Sequence, residues 1–317
     1  MFYRLVCGAL LACAVMASPL AARECGPLKM IASTDLIPFE ALHLLPMTVN
    51  GQQMHFLLDS GGVYTQIGEN AANRAGLSIQ TGATEVVNAG GTKSARYAKV
   101  DSLSMGGITG KDVYLRISPS EVPGDGLMAL DVLRQSDVEM DFANKKINYF
   151  LPDHCRGKVI YWPHGDVALV RISLWGDQWI KVPVTLDGKK FTAVIDTGAS
   201  RTVMSRQTAK EYFNLTETSP GMEPNGNVND DPRLPSHLYR FASLSLNGVT
   251  MKNPRIVIVP DKWNEMSSRM ELPEITLGMD LLKNLHLYFA FEERSLYITA
   301  AMPPAPADAA AAAAPAP

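Results

Sequence analysis

Two stretches of the chain carry nearly the same pattern of hydrophobic and polar positions. Leu45-Pro46-Met47-Thr48-Val49 and Val182-Pro183-Val184-Thr185-Leu186 each read as a strand. Each is followed by a tight-turn pair, Asn50-Gly51 or Asp187-Gly188, and then by an apolar run that stops at an aspartate, Asp59 or Asp196. Asn-Gly or Asp-Gly between two strand-like runs predicts a β-hairpin. The copies align without a gap from Pro46 to about Ile67 at a constant offset of 137 residues. Helical stretches are predicted next, over 69–77 and 206–215.

The likeness returns further on. Residues 103–109 match 244–250 as another hairpin, and 128–133 match 277–282. A closing strand pair is predicted in each copy, around 138–149 and 287–298. The offset grows because the second copy carries insertions, most visibly the Pro-, Gly-, Asn- and Asp-rich 219–237. The fold class expected is therefore mostly β: two homologous lobes, 23–154 and 165–300, with a few short helices and a connection at 155–164.

The ends read differently. A short basic start, an apolar run over 5–17 and a small-residue exit at 18–22 have the layout of a secretory signal peptide, 1–22, cleaved after Ala22. The apolar run is too short to span a bilayer, so no membrane span is expected in the mature chain. Export, to the periplasm or beyond, is the expectation. A signal anchor is the alternative, and Cys13 is a poor lipoprotein site. Residues 301–317, an Ala/Pro alternation, are expected to be a disordered tail.

Composition narrows the chemistry. The 317 residues suit two lobes better than one core, and the net charge of −3 comes without a Lys/Arg block, which disfavours nucleic acid as a partner. Past the leader only Cys25 and Cys155 remain, and in an exported chain they are expected to form a disulfide; two free buried thiols are the alternative. The six histidines include no pair at metal-ligand spacing, no His-Glu-x-x-His and no Gly-x-Ser-x-Gly elbow occurs, and neither a metal nor a cofactor is expected. Trp162, Trp175 and Trp179 precede lobe 2 and are expected to pack the lobe junction rather than line a cleft.

What remains is a pair of triplets at matched positions, Asp59-Ser60-Gly61 and Asp196-Thr197-Gly198. Two carboxylates sharing a proton can activate a water and protonate a leaving nitrogen without metal or covalent intermediate. Held at hydrogen-bonding distance they cannot both ionise easily, so their pKa values separate. Gly61 and Gly198 would let backbone pass close to the carboxyls. Ser60 and Thr197 offer hydroxyls to bond across a two-fold axis. Asp131 and Asp280, also matched, are expected to cap short helices.

These triplets, the following Ala199-Ser200 and the segment Leu277-Gly278-Met279 resemble the aspartic protease clan, and within it the bacterial retropepsin-like proteins. The resemblance covers most of residues 40–300, and the chain looks like a fused retropepsin dimer. It implies closed β-barrel lobes, a cleft that takes an extended polypeptide, catalytic Asp59 and Asp196, and hairpin flaps. Asn88-Ala89-Gly90-Gly91-Thr92 is the lobe 1 flap candidate, and the lobe 2 flap falls within 218–239. Lobe 1 departs from the family pattern, with Val63 where lobe 2 has Ser200 and Ala129 where it has Gly278. With Ser200 bonding Asp196 and no hydroxyl beside Asp59, Asp59 is expected to hold the shared proton. The expected activity is that of an aspartic endopeptidase, a monomer with an internal two-fold. The alternatives are a non-catalytic peptide- or partner-binding protein on the same scaffold, and a homodimer that pairs its lobes between chains.

Overall fold

The computed structural model describes residues 25–87, 92–175, 179–261 and 273–302. The leader 1–22, the flap residues Gly90 and Gly91, and all but Ala301 and Met302 of the 301–317 tail lie outside the described residues. The chain is mostly β, and its described residues form three sheets.

The predicted hairpins are present and begin alike. Leu42–Val49 pairs with Gln52–Leu58, and Trp179–Leu186 pairs with Lys189–Ile195. Their turns have positive φ at both central residues: 46° and 82° at Asn50 and Gly51, 44° and 79° at Asp187 and Gly188. This geometry matches strand twist and is tolerated by Asn, Asp and Gly. The turn side chains also reach a neighbouring strand. Asn50 Oδ1 accepts the N–H of Asp101 and Ser102 at 2.9 and 3.0 Å, and the Asp187 carboxylate accepts those of Ser243 and Ala242 at 2.7 and 3.1 Å.

In both lobes the second hairpin strand runs parallel to a short strand from much later in the chain. Gln52–Leu58 pairs with Gly126–Met128, and Lys189–Ile195 with Ile275–Leu277. The last ladder bonds, Asp59 N to Met128 O and Asp196 N to Leu277 O, are both 3.0 Å. Each aspartate therefore leaves a buried parallel ladder at the same point.

The lobes differ on their far sides. In lobe 1 the hairpin Lys93–Met105 and Ile108–Ile117 is made of two long strands, and Thr48 and Val49 pair back onto Ser104 and Leu103. In lobe 2 the same hairpin is split in two. Pro235–Arg240 pairs with Arg255–Val259, and Ser243–Leu246 with Val249–Lys252. The break falls at Asn253-Pro254, where φ of Asn253 is 53° and proline has no N–H to give the ladder. The pairings establish sheets; closure of each lobe into a barrel, which the resemblance implies, is not established by them.

The third sheet draws on both lobes, in the order Met30–Asp35, Lys146–Phe150, Asp137–Asp141, Leu285–Ala290, Ser295–Ala300, Ala168–Arg171. Its centre is the antiparallel pairing of Asp137–Asp141 with Leu285–Ala290, one strand from each repeat. One face, with Val138, Met140, Leu287 and Phe289, joins the main core. The other carries Phe150, Tyr288 and Tyr297 and is covered by Val159, Ile160 and Trp162 of the connection. The Cys25–Cys155 disulfide closes a separation of 130 residues beside this cover. Constraining so long a loop stabilises by roughly 4–5 kcal/mol in the chain-entropy model.

Candidate active site

The sharp turns after the two parallel ladders bring Asp59 and Asp196 together, with their carboxyls in hydrogen-bonding contact. Each is held by its own loop. Asp59 Oδ1 accepts the N–H of Gly61 and Gly62 at 3.0 and 2.8 Å, and Asp196 Oδ1 accepts those of Gly198 and Ala199 at 2.9 and 3.1 Å. The middle residue of each triplet is buried and crosses to the other loop. Ser60 N–H donates to Thr197 Oγ1 and Thr197 N–H to Ser60 Oγ, both at 3.0 Å. The hydroxyls then donate to the carbonyls before the opposite aspartate: Ser60 Oγ to Ile195 at 2.9 Å and Thr197 Oγ1 to Leu58 at 2.7 Å. Four buried hydrogen bonds thus fix one loop against the other, and every polar group in the lattice is satisfied.

The glycines are required by contact, since neither has positive φ. A Cβ on Gly61 would lie 2.3 Å from Asp196 Cγ, and one on Gly198 would lie 2.5 Å from Asp59 Oδ1. Each glycine lies on the carboxyl of the other lobe.

Burial pushes both carboxyls up, because the charged form loses hydration. Asp59 also feels the negative charge of Asp196 and rises to about 8. Held in contact, the two carboxyls titrate as one coupled pair that shares a proton. The side-chain bond expected from Ser200 to Asp196 is not part of this arrangement. Ser200 is exposed, and among the described residues its hydroxyl makes no bond to Asp196. Its carbonyl instead accepts Asp280 N–H at 3.2 Å, so Ser200 supports the loop through backbone rather than side chain.

A second correction concerns Asp131 and Asp280. The helices Leu130–Leu133 and Met279–Leu282 start from Ala129 and Gly278, so neither aspartate is the N-cap. Both reach back to a threonine after the triplet. Asp131 accepts from Thr65 N and Oγ1 at 2.9 and 2.7 Å, and Asp280 from Thr202 N and Oγ1 at 2.8 and 2.7 Å. Each threonine hydroxyl in turn accepts a backbone N–H, from Ala129 or Gly278, at 3.1 Å. Ala129 therefore makes the bond that Gly278 makes, with nearly the same backbone: φ −106° and ψ −177° against φ −100° and ψ 177°.

Trp162 and Trp179 have different surroundings. Trp162 stacks on His286, with ring centroids 4.0 Å apart, on the covered face of the shared sheet. The indole N–H of Trp179 donates to the Gly61 carbonyl at 2.9 Å, beside the aspartate pair. Within the 218–239 range expected for the lobe 2 flap, a hairpin is formed by Glu223–Asn227 and Pro235–Arg240, with its tip at Val228–Asp230. It stands where lobe 1 has the hairpin Ile79–Val87 and Lys93–Met105.

The histidines show a grouping that sequence spacing could not. Ligand atoms of Glu139, Asp141 and His286 come within 4.8 Å of one another. The two carboxylates address different ring nitrogens, Glu139 at Nε2 (2.7 Å) and Asp141 at Nδ1 (3.7 Å). Glu139 is also bonded by Asn148 and Tyr161. This arrangement suits a bracketed imidazole better than an ion. A cavity of about 410 Å³ beside the lobe 2 loop is bordered by Arg201, Pro254 and Asp280; neither Asp59 nor Asp196 lines it.

No curated protein matches the chain. The family described as Aspartyl protease matches it over residues 45–132 and 182–281, one segment for each aspartate triplet. These segments make up more than half of the sequence, and the chain belongs to the aspartyl protease family.

Proposed function

We propose that this protein is an exported aspartic endopeptidase that cuts extended polypeptide segments with a water activated between Asp59 and Asp196. The observation that carries the reading is the contact of the two carboxyls, each fed by two backbone N–H groups and locked by the Ser60/Thr197 lattice. Ionised Asp196 takes a proton from the water as its oxygen attacks the scissile carbonyl carbon. Asp59 gives its proton to the carbonyl oxygen. In the tetrahedral intermediate the proton now on Asp196 passes to the leaving nitrogen as the C–N bond breaks, and Asp59 recovers its own from the collapsing hydroxyl. The backbone donors and the buried lattice preorganise the charges, which is where most of the rate gain would arise. A substrate strand would lie between the cleft floor and the hairpins above it.

The non-catalytic reading would be favoured by an Asp59 turned away from its partner or by a flap that blocks the cleft; Asp59 faces Asp196, and the lobe 1 flap tip lies outside the described residues. Export is supported by the leader-like residues 1–22 and by the disulfide, which suits an oxidising compartment. Among the described residues no helix is long and apolar enough to cross a membrane. The test is cleavage of an unfolded, carboxymethylated protein by the purified chain across pH 3–8, with Asp196→Asn as control. Cleavage that the control lacks supports the proposal. A folded wild-type chain that binds the protein without cutting it would favour the binding scaffold.

A further inference from the structure

We propose that Trp179 is a positioning residue for the aspartate pair: its indole, reaching across from lobe 2, holds the lobe 1 loop against both carboxyls. The inference rests on reading the pair as a proton-sharing unit. It starts from a place where the two-fold symmetry fails.

Extending the hairpin registers by two residues from the Lys181/Val194 and Leu44/Leu57 pairs sets Trp179 against Asp196 and Leu42 against Asp59, so the two residues occupy equivalent positions. Leu42 packs against the apolar core. Trp179 is half-buried and donates to the carbonyl of Gly61. Among the described residues the equivalent carbonyl, that of Gly198, accepts no side-chain donor.

The extra bond falls on the loop that is otherwise less tied. Both loops have a tether to the following helix, Leu130 N–H to Gly62 O at 3.1 Å and Met279 N–H to Ala199 O at 2.8 Å. Lobe 2 has another, Asp280 N–H to Ser200 O at 3.2 Å, and an ion pair between Arg201 and Asp280 at 3.4 Å. Among the described residues lobe 1 has neither: Val63 and Tyr64 stand at those positions, and the Val63 carbonyl takes no bond from Asp131. Trp179 supplies the missing restraint from across the cleft.

Gly61 is where such a restraint matters. Its N–H donates to Asp59 at 3.0 Å, and its Cα lies on the Asp196 carboxyl so closely that no Cβ fits. The Gly61 N–H favours the charged form of both aspartates. A loop that shifts by a fraction of an ångström loosens both contacts together. Among the described residues, the groups that act on the pair are the N–H groups of Gly61, Gly62, Gly198 and Ala199 and each other's carboxyl.

The test uses Trp179→Phe, which keeps an aromatic ring and removes the donor. Carbon-13 titration of the Asp59 and Asp196 carboxyls in the substrate-free chain reads the pair without any assay. The expected result is an upward movement of the pair's titration by about half a unit, because weaker N–H bonds favour the protonated forms. With an unfolded, carboxymethylated protein as substrate, kcat should fall about tenfold with KM within about twofold. Superimposable titrations with unchanged kcat would overturn the proposal and leave a structural contact. So would a raised KM at unchanged kcat, which would make Trp179 a substrate contact. If Trp179→Phe does not fold, benzothienylalanine at position 179, with the indole's shape and no N–H, carries the same measurements. If the wild-type chain cuts no peptide, the endopeptidase reading fails, and the titration still decides the role of Trp179.

Discussion

Asp59 and Asp196 each accept two N–H groups from the loop that carries them, yet different neighbours tie the two loops down. The lobe 2 loop is restrained locally, by the Ser200 carbonyl bond and the Arg201–Asp280 pair. Among the described residues the lobe 1 loop has neither, and it is reached from the opposite lobe by Trp179. The middle residues, by contrast, are interchangeable in role: Ser60 and Thr197 donate and accept in mirror-image fashion. Duplication preserved what must be mutual and released what each loop can satisfy in its own way.

The strongest way to break the comparison is to remove one carboxyl. On the proposed mechanism Asp196→Asn and Asp59→Asn each lower kcat by roughly a thousandfold or more, since base and acid are both lost as a working unit. A single variant with near-normal kcat would show that one aspartate suffices. Gly278→Ala comes next. A Cβ there would sit 2.4 Å from the Arg201 backbone, so the substitution should cost about 3 kcal/mol in a denaturant titration. The reciprocal Ala129→Gly should cost only about 1 kcal/mol. Equal costs would mean that the lobes differ less at this corner than their contacts indicate.

Smaller effects sharpen the symmetric part. Ser60→Ala and Thr197→Ala each leave two buried partners unsatisfied and should destabilise by similar amounts, about 2 kcal/mol, by the same titration. A large inequality would show that the lattice is not mutual. Asp59→Asn also has a signature in stability. A carboxyl raised to about 8 in the fold is protonated there while its unfolded counterpart has already ionised. The stability it lends is full below the ordinary carboxylate range and is lost as pH rises toward about 8. Asn cannot ionise, so Asp59→Asn should melt about 5 °C above wild type at pH 7 and together with it near pH 3. Val63→Ser should do least. The Ser200 hydroxyl does not bond Asp196, so a hydroxyl at 63 is expected to leave both limbs of the pH–rate profile where they are.

Local signals in the sequence carried most of the architecture. The Asn-Gly and Asp-Gly turns, the apolar runs stopping at Asp59 and Asp196, and the cysteine pair all announce themselves within a few residues or by elimination. The missed features are non-local. Thr65 and Asp131 are 66 residues apart, Thr202 and Asp280 are 78, and His286 and Glu139 are 147, so no spacing rule links them. The residue type of Ser200 suggests a side-chain bond where its backbone carbonyl supplies the contact. Trp179 offered no signal except its departure from Leu42, and tryptophan beside apolar neighbours reads first as packing. The lobe 2 hairpin is legible only as a range, 218–239, because turn-forming residues make up its strands and tip.

The shared sheet has a mechanical consequence. Its central ladder, Val138 to Asp141 against Phe289 to His286, is continuous hydrogen bonding between the repeats, buried on both faces and covered by a segment held with a disulfide. Swinging the halves apart like jaws would tear that ladder, at a cost near that of unfolding, so a wide gape is closed to this molecule on working timescales. On the proposed function, a guest chain would then be admitted by the hairpins and not by parting of the two halves.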